Sequence, residues 1–404
     1  MNILVLNCGS TSMKFAVVHS SNGHEHISGL VQPLGDPDAA LRATVSLLRE
    51  VGLADRMLGI GHRVIHGGAK FSGSMFITSE VIAKIKECIP LGPLHNPPNV
   101  RGIELAHELF PDLPQVAVFD TAFHQTMPPR AYLYAVPYEW FEKHEVRRYG
   151  FHGTSHRYVS QQAVKQLGLD PEDHAIVTAH LGNGCSLCAV RNGQSMDTTM
   201  GLTPLEGVVM DTRSGSIDPS IIVHMKKALG CSADEVMQKL NKASGLLGVS
   251  GLSKDMLTLQ DAAKDGNARA DLAIEKFCYS VAKNAAGMIV SLGRVDALVF
   301  TGGIGQFAVD VRAQIVRLLS FAGFTLDPRA NETHGQATNG RITRTTSPMA
   351  AVIATNEELM IAQDTAEIVA HDPNVTARWG MTPALRAVAA AVVDAAIQAS
   401  AAET

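Results

Sequence analysis

The sequence lacks long apolar runs and any excess of basic residues. No continuous hydrophobic segment in its 404 residues approaches the ~20 residues that a membrane-spanning helix needs. A strand pattern begins at residue 2, so we expect no signal peptide. The sequence has 34 Lys and Arg against 39 Asp and Glu, a formal net charge of −5. We therefore expect neither a membrane nor a nucleic acid as a partner.

The sequence is also poor in cysteine for its length. Its six cysteines, at positions 8, 88, 185, 188, 231 and 278, are scattered, which indicates reduced thiols and a cytoplasmic location. Cys185 and Cys188 form a C-x-x-C pair, but no second pair accompanies them. Residues three apart on a strand face opposite sides, so we expect buried thiols and not a zinc site.

No G-x-x-x-x-G-K-[ST] phosphate loop occurs, but two similar hairpins do. A strand, a Gly/Ser/Asn turn and a return strand span residues 2–18, and a shift of 173 residues gives a second set over 176–190. Gly9 then falls on Gly182, and Ala16-Val17 on Ala189-Val190. One such turn would be only a turn, but two in register predict a duplicated α/β unit that grips phosphate between its copies. A chain of this length also favours two domains.

Two charged residues stand within or directly after apolar strands. Arg63 lies in the strand pattern 60–68, and Asp120 follows the strand pattern 116–119. A buried Arg needs an anion, and the carboxyl ends of parallel strands are where α/β folds bind ligands. The alternatives are a solvated Arg on a surface strand and an Asp that caps the next helix.

Further segments are rich in groups that bind anions. They are 147–156, which is dense in groups that bind anions or move protons, the loop 210–215 with Arg213, and a strand that breaks into the triple-Gly turn 301–305. Glu357 and Glu358 open a helix, where acidic residues complement the helix dipole. Hydrophobic spacing predicts helices over 36–53, 99–109, 155–167 and 268–292, rigid loop at 93–99, and loop over 244–256.

Six of these segments together resemble the acetate kinase family, in that family's order. The motifs are Asn7-x-Gly-Ser-x-Ser-x-Lys-Phe, His62-Arg63-Val64-x-His66-Gly67-Gly68, Phe119-Asp120-Thr121-Ala122-Phe123-His124, Arg148-Tyr149-Gly150-Phe151-His152-Gly153-Thr154-Ser155-His156, His180-Leu181-Gly182-Asn183-Gly184 and Asp211-Thr212-Arg213-Ser214-Gly215. The resemblance covers residues 1 to about 369.

The resemblance implies a duplicated fold of the actin-like, sugar-kinase-like and ribonuclease H-like type, with two domains and a cleft between them. We expect one domain from 1–122 plus about 360–404, and a nucleotide-binding domain from 123–359. It also implies a homodimer that transfers phosphate reversibly from ATP to acetate, giving ADP and acetyl phosphate, with Mg²⁺ or Mn²⁺.

Site residues follow from the resemblance position by position. Asp120 matches the catalytic acid, and His152 and Arg213 match groups that stabilise the transition state. Arg63 matches the substrate-binding Arg, with an acyl pocket of Ile65, Leu94, Phe151 and Pro204. The nucleotide-binding positions are Lys14, His180, Leu181, Gly182, Asn183, Gly184, Asp255, Met256, Leu257, Gly303, Ile304, Gly305, Gln306 and Phe307. Asn7 and Glu357 match the metal-site residues.

The chain departs from the family pattern on the nucleotide side. Gln306-Phe307 stands where the family has Glu-Asn, and Leu257 stands where it has Arg. Propionate is an alternative acceptor, because one methylene changes binding by only ~1–3 kcal/mol. A non-catalytic, actin-like ATP-binding protein is an alternative from another class. The segment 372–404 has no counterpart in the family pattern, and its apolar spacing after Thr382 and Pro383 predicts an extra C-terminal helix.

Overall fold

The computed structural model describes residues 1–9, 12–32 and 36–371, and the predicted helix beyond His371 lies outside them. The described chain divides into two compact units, Met1–Gln125 with the segment from Asn356 onward, and Thr126–Thr355. Glu357 therefore lies in the first unit, whereas the expected boundary at 359 would have placed it in the second. No helix among the described residues is long and apolar enough to cross a membrane.

The strands form one sheet in each unit. They are β1 Asn2–Cys8, β2 Met13–His19, β3 Glu25–Val31, β4 Met57–Val64, β5 Met75–Phe76, β6 Gln115–Phe119, β7 Ala175–Leu181, β8 Cys185–Arg191, β9 Gln194–Thr198, β10 Ala297–Thr301 and β11 Met349–Val352.

The α-helices are distributed over both units. They are α1 Pro37–Glu50, α2 Ser79–Glu87, α3 Asn96–Leu109, α4 Pro129–Tyr132, α5 Tyr138–His144, α6 Gly153–Leu167, α7 Ser220–Leu229, α8 Ala233–Lys242, α9 Gly245–Ser250, α10 Met256–Lys264, α11 Ala268–Leu292, α12 Gly302–Phe307, α13 Val309–Leu318, α14 Pro328–Glu332 and α15 Glu357–His371.

The two sheets repeat one topology. The first has the order β3-β2-β1-β4-β6-β5 and the second β9-β8-β7-β10-β11, read from the matching edge. In each, three antiparallel strands are followed by two parallel ones, and the first sheet has the short strand β5 as a further, antiparallel edge strand. The predicted duplicated α/β fold is confirmed. β1 and β7 are related by the 173-residue shift at both ends.

The return strands of the two hairpins are not related by the same shift. Val5 pairs with Ala16 in the first hairpin, whereas Thr178, its counterpart, pairs with Cys188 and not Ala189. The connection after β7 is one residue shorter than the connection after β1, so the pairing slips by one residue. Cys185 and Cys188 lie in β8, where burial raises the pKa of the Cys185 thiol to about 12.

Several predicted elements differ from those in the structure. The rigid loop 93–99 and the loop 244–256 contain the start of α3 and the whole of α9. The predicted triple-Gly turn is instead the short helix α12. Its first residue, Gly302, has a φ of +74°. Proline is tolerated in a first helical turn, and tertiary packing overrides the weak propensity of glycine. Helix α11 has the predicted bounds at both ends.

The core of the first unit follows the two-residue period of its central strands. Side chains at alternate positions of β1 and β2 pack against α1 and α3, and the intervening ones pack against α15. One set joins Leu4, Leu6, Phe15 and Val17 to Leu41 and Leu48, and the other joins Ile3, Val5, Ala16 and Val18 to Ile361 and Val369. The packing places the carboxyl ends of β1 and β4 beside the start of α15.

A buried histidine on β4 should make stability depend on pH. His62 Nε2 donates to Gln115 Oε1 at 2.8 Å, and burial lowers the pKa of His62 from 6.5 to about 4. Its folded pKa is below its unfolded pKa, so its contribution is present above pH ~6.5 and is lost as pH falls toward 4. We expect the fall in pH from 6.5 to 4 to lower the free energy of unfolding by up to about 3 kcal/mol through His62.

Urea unfolding between pH 7 and 4 measures this loss. The His62→Gln variant keeps a donor but cannot titrate, so its stability should fall less steeply. Equal slopes for the two proteins would contradict the prediction.

Candidate active site

A small pocket opens in the first unit where β1, β2, β4 and α15 meet. Its polar lining consists of Asn7, Lys14, Arg63, Glu357 and Glu358. Asn7 and Lys14 are cross-strand partners on β1 and β2, so their positions are set by the hairpin. Lys14 Nζ donates to Glu358 Oε1. Asn7 belongs to β1 and not to the turn after it.

Arg63 and Asp120 form a bidentate pair at the carboxyl ends of the adjacent parallel strands β4 and β6. Arg63 Nε lies 2.9 Å from Asp120 Oδ1, and Nη2 lies 2.7 Å from Oδ2. Burial lowers the pKa of Arg63, but the carboxylates of Asp120, Glu357 and Glu358 together outweigh burial, so the pKa is raised. The anion that a buried Arg requires is thus Asp120, and Asp120 does not cap a helix.

Glu357 presents a buried carboxylate oxygen to the same pocket. Its Oε1 has no hydrogen-bond partner and lies 3.9 Å from Arg63 Nη2, beyond hydrogen-bond range. Burial raises the pKa of Glu357, and Arg63 opposes that shift. Glu357 Oε1 and the side-chain amide of Asn7, which lines the same pocket, offer the hard oxygen donors that Mg²⁺ prefers.

Few side chains here could bind a metal ion, and magnesium sites that form at phosphate groups often have few protein ligands. No group of three His, Cys, Asp or Glu side chains in the described part of the chain could hold a metal ion. Mg²⁺ commonly takes one or two protein oxygens and completes its shell with substrate phosphates and water. Asn7 and Glu357 fit that arrangement.

The loops beside Arg63 are held by buried amide side chains. Asn99 donates to Cys8 O at 2.7 Å and accepts from the backbone N–H of Ile65 at 3.1 Å. Asn96 makes two hydrogen bonds with the backbone of His66. These bonds fix the segment that carries Ile65, while Leu94 is 56% exposed.

In the second unit, His152 lies at the start of α6 in a strained conformation. Its φ is +57°, a left-handed value that few non-glycine residues adopt and that often marks a functional site. The His152 ring stacks on His180 with centroids 4.3 Å apart. His152 Nδ1 and His156 Nε2 each lie 2.8 Å from Ser186 Oγ, so one hydroxyl orients both rings.

Arg213 and His152 meet at Gly184, in the turn between β7 and β8. A Cβ at position 184 would lie 3.2 Å from His152 Nε2 and 3.5 Å from Arg213 Nη2. Burial lowers the pKa of Arg213, and Asp211 opposes the shift. A side chain at residue 184 would fill the space beside the His152 ring and the Arg213 guanidinium, which glycine leaves open.

Two of the predicted nucleotide segments lie against each other. His180 and Leu181 end β7, and a Cβ at Gly302 would lie 2.6 Å from Leu181 O, which brings the start of α12 against this strand. The segment Gly303–Phe307 lies within α12. The segment from Asp255 begins α10, where the Asp255 side chain accepts from the backbone N–H of Thr258 at 2.8 Å.

Two of the three residues at the departures from the family pattern are exposed, and Gln306 is half-buried. Leu257 is 65% and Phe307 is 70% exposed. The Phe307 ring packs edge-on against His334, with centroids 6.2 Å apart. His334 Nδ1 accepts from Arg312 Nη2 at 3.0 Å, and Arg312 is fully buried. The aromatic pair therefore has a rigid support.

The four residues of the predicted acyl pocket are divided between the units. Ile65 and Leu94 belong to the first, and Phe151 and Pro204 belong to the second. Phe151 is buried, and Pro204 O accepts a hydrogen bond from Arg213 Nη1 at 3.0 Å. Asn7, Lys14, Arg63, Asp120 and Glu357 are brought together within the first unit, as His152, His180, Gly184 and Arg213 are within the second.

The sequence reasoning missed three residues of these sites. Glu358 lines the first pocket and pairs with Lys14, and its position next to Glu357 was an available signal. Ser186 links the rings of His152 and His156. Glu206 anchors the loop that carries Pro204, and no local pattern marks it.

The chain is similar to known proteins over most of its length. The model of the Acetokinase family matches residues 34–363. An acetate kinase of Ectopseudomonas mendocina is 48% identical over 91% of this chain and 99% of that protein, and one of Deinococcus radiodurans is 48% identical over 91% and 98%.

Solved structures agree with the sequence relatives. A propionate kinase of Francisella tularensis superposes with a TM-score of 0.86 at 45% identity, and the acetate kinase of Porphyromonas gingivalis with 0.85 at 41%; each match covers 91% of this chain and 99% of the other. The chain belongs to the acetokinase family.

Proposed function

We propose that this protein transfers the γ-phosphoryl group of ATP reversibly to the carboxylate of acetate, forming acetyl phosphate and ADP. The observation that carries the proposal is the meeting of His152 and Arg213 over Gly184, at a turn of the phosphate-binding type. The acceptor is an anion that must approach a polyanion. Fixed cationic groups neutralise that repulsion and the charge on the equatorial phosphoryl oxygens.

The acceptor needs no general base, because a carboxylate is ionised at neutral pH. The Asp120 carboxylate is occupied on both oxygens by Arg63. We therefore assign Asp120 the role of orienting Arg63, which leaves Nη1 of that guanidinium for the acetate or phosphate anion. This role replaces that of catalytic acid, which the family resemblance implies.

Formation of an acyl phosphate is the direct test of the activity. Trapping with hydroxylamine in the presence of ATP and acetate should give acetohydroxamate. A non-catalytic ATP-binding protein would give none. Propionate in place of acetate tests the other acceptor, and the bulk of Ile65 favours the smaller acid.

We propose that Asn7 and Glu357 would hold Mg²⁺, which when bound would supply positive charge against the phosphate groups of ATP. The Glu357→Gln variant should raise the Mg²⁺ concentration that gives half-maximal rate by about tenfold or more. It should not lower the thermal unfolding temperature, because the variant removes a negative charge whose buried Oε1 atom has no hydrogen-bond partner.

The exposed residue Glu367 of the same helix offers a matched control. Glu367→Gln should change neither quantity. An unchanged Mg²⁺ requirement in Glu357→Gln would contradict the assignment.

We expect the enzyme to discriminate little between nucleoside triphosphates that differ in their base. We propose that the base stacks on Phe307, whose ring His334 and Arg312 support. Stacking on an aromatic ring contributes ~1–3 kcal/mol and tolerates every base. The kcat/KM for GTP should lie within about tenfold of that for ATP, since the contact carries no base-specific hydrogen bond.

Comparing kcat/KM for ATP, GTP and pyrophosphate in the wild type and in Phe307→Asn tests this. The variant should regain preference for ATP. A strict ATP requirement in the wild type would show that the residue at 307 does not affect donor choice.

We also propose that the protein is a cytoplasmic homodimer. Helix α7 supports this, because it has no buried side chain and exposes Ile221, Val223 and Leu229. Light scattering should give twice the monomer mass, and Val223→Glu should shift it towards the monomer. A monomeric wild type would refute the proposal.

A further inference from the structure

The loop from Gly201 to Gly207 holds one side of the Arg213 guanidinium. Arg213 Nη1 donates to the carbonyl of Pro204 at 3.0 Å. That loop has no helical or strand structure of its own. The position of the Pro204 carbonyl, and with it the direction of the guanidinium, therefore depends on side chains that anchor the loop.

A single carboxylate provides that anchor. Glu206 Oε1 accepts from Arg148 Nη2 at 2.7 Å, and Oε2 accepts from the hydroxyl of Tyr134. The Tyr134 hydroxyl in turn accepts from the backbone N–H of Leu202 at 2.9 Å. Both ends of the loop segment are thus tied to one carboxylate.

Arg148 ties the start of the same loop. Its Nη1 donates to Thr199 O at 2.8 Å and to Met200 O at 3.2 Å, while Nη2 holds Glu206. A Cβ at Gly201 would lie 1.8 Å from Glu206 Oε2, so the carboxylate occupies the space that a side chain there would need. The Arg148 and Glu206 side chains are 17% and 32% exposed, which shields their pair from water.

The charges of the cluster are compatible with this role. Burial and the Glu206 carboxylate both raise the pKa of Tyr134, so its phenol keeps the proton that it donates. Arg148 holds three acceptors at once through the two amino groups of its planar guanidinium, a fixed geometry that the single ammonium group of a lysine does not provide. The carboxylate, the guanidinium and the phenol form a closed set of charge-assisted hydrogen bonds.

We infer that Glu206, held by Arg148 and Tyr134, is a positioning residue for Arg213. It acts through the carbonyl of Pro204 and keeps the guanidinium aimed at the space over Gly184. The inference rests on the proposed function, in which Arg213 stabilises the phosphoryl group in transfer. Removing the anchor should therefore impair the chemical step more than the binding of either substrate.

The Glu206→Gln variant tests the inference, because an amide oxygen cannot accept equally from both donors. We expect kcat to fall on the order of 10- to 100-fold, as for a misplacement of about 1 Å, with the KM values for ATP and acetate nearly unchanged. Tyr134→Phe removes one donor and should give a smaller loss in the same direction. Asp173→Asn, which breaks the surface pair with Arg294, is the matched control and should keep full activity.

The decisive measurement repeats Glu206→Gln in an Arg213→Ala background, with acyl phosphate trapped at high enzyme concentration. If Glu206 acts through Arg213, its substitution should cause no further loss there. The same fold-loss in both backgrounds, or unchanged kcat in the single variant, would overturn the inference. Should Glu206→Gln fail to fold, Tyr134→Phe replaces it in both backgrounds.

The wild-type assay separates the two levels of the argument. A wild type that forms no acyl phosphate overturns the proposed function, and this inference with it. An active wild type whose Arg213→Ala variant is impaired, while the Glu206 and Tyr134 variants are not, overturns this inference alone.

Discussion

Arg213→Ala should lower kcat by about 10³-fold or more and leave the fold intact. Arg213 is half-buried beside Gly184 and His152, and its Nη2 lies next to the space that the glycine leaves open. A fixed guanidinium in such a place stabilises the charge that spreads over the phosphoryl oxygens in the transition state. Its loss removes transition-state stabilisation, so kcat and kcat/KM should fall together.

Two further variants sharpen this experiment. Arg213→Lys keeps the charge but not the planar fork, so it should recover little of the activity. Arg294→Ala removes an exposed Arg of the same unit and should have no effect on kcat. Near-normal turnover of Arg213→Ala, measured on protein with an unchanged circular dichroism spectrum, would refute the assigned role.

Asp120→Ala should damage both stability and activity. The carboxylate is 1% exposed and satisfies two donors of Arg63, so its removal leaves a largely buried guanidinium with two unpaired donors and only the more distant Glu357 carboxylate to balance its charge. Breaking such a pair costs ~3–5 kcal/mol, and the partial exposure of Arg63 favours the lower end. Turnover should also be lost, because Arg63 is no longer held in one orientation.

The double variant Arg63→Met with Asp120→Leu separates the two effects. It removes both charges and fills the space with apolar atoms, so the free energy of unfolding should return close to the wild-type value. Activity should stay absent, because the anion-binding guanidinium is gone. Urea unfolding and hydroxylamine trapping measure the two quantities. A single Asp120→Ala variant as stable as the wild type would contradict the pairing argument.

The family and the fold class could be predicted from the sequence. The hairpin repeat at 173 residues is visible in the sequence because each copy consists of an apolar strand followed by a tight polar turn. Both patterns are formed by residues that are neighbours in the chain. Helix α11 was predicted to its terminal residues from hydrophobic spacing, and in the structure Asn267 caps its start and Gly293 follows its end. The motifs around Arg63, Asp120, His152 and Arg213 are likewise continuous in sequence.

Helices rich in glycine or proline could not be predicted in the same way. Residues 302–307 and 245–250 form helices although glycine opens both, and α3 includes Pro97 and Pro98 in its first turn. Intrinsic propensity differs by at most a few kcal/mol between residues, and packing against the sheets overrides it. The one-residue difference in pairing between the two hairpins also could not be predicted, because it depends on where β1 and β7 end and β2 and β8 begin in the folded sheets.

The sequence by itself determined the architecture, the family and which residues are chemically able to act. Only the tertiary structure decided their partners: Arg63 with Asp120 over 57 positions, Lys14 with Glu358 over 344, and Arg148 with Glu206 over 58. It also placed Glu357 in the first unit, beside Arg63. Periodicity and turn chemistry act between neighbours in the chain, whereas the pairing of buried charges depends on which strand ends and loops the completed sheets bring together.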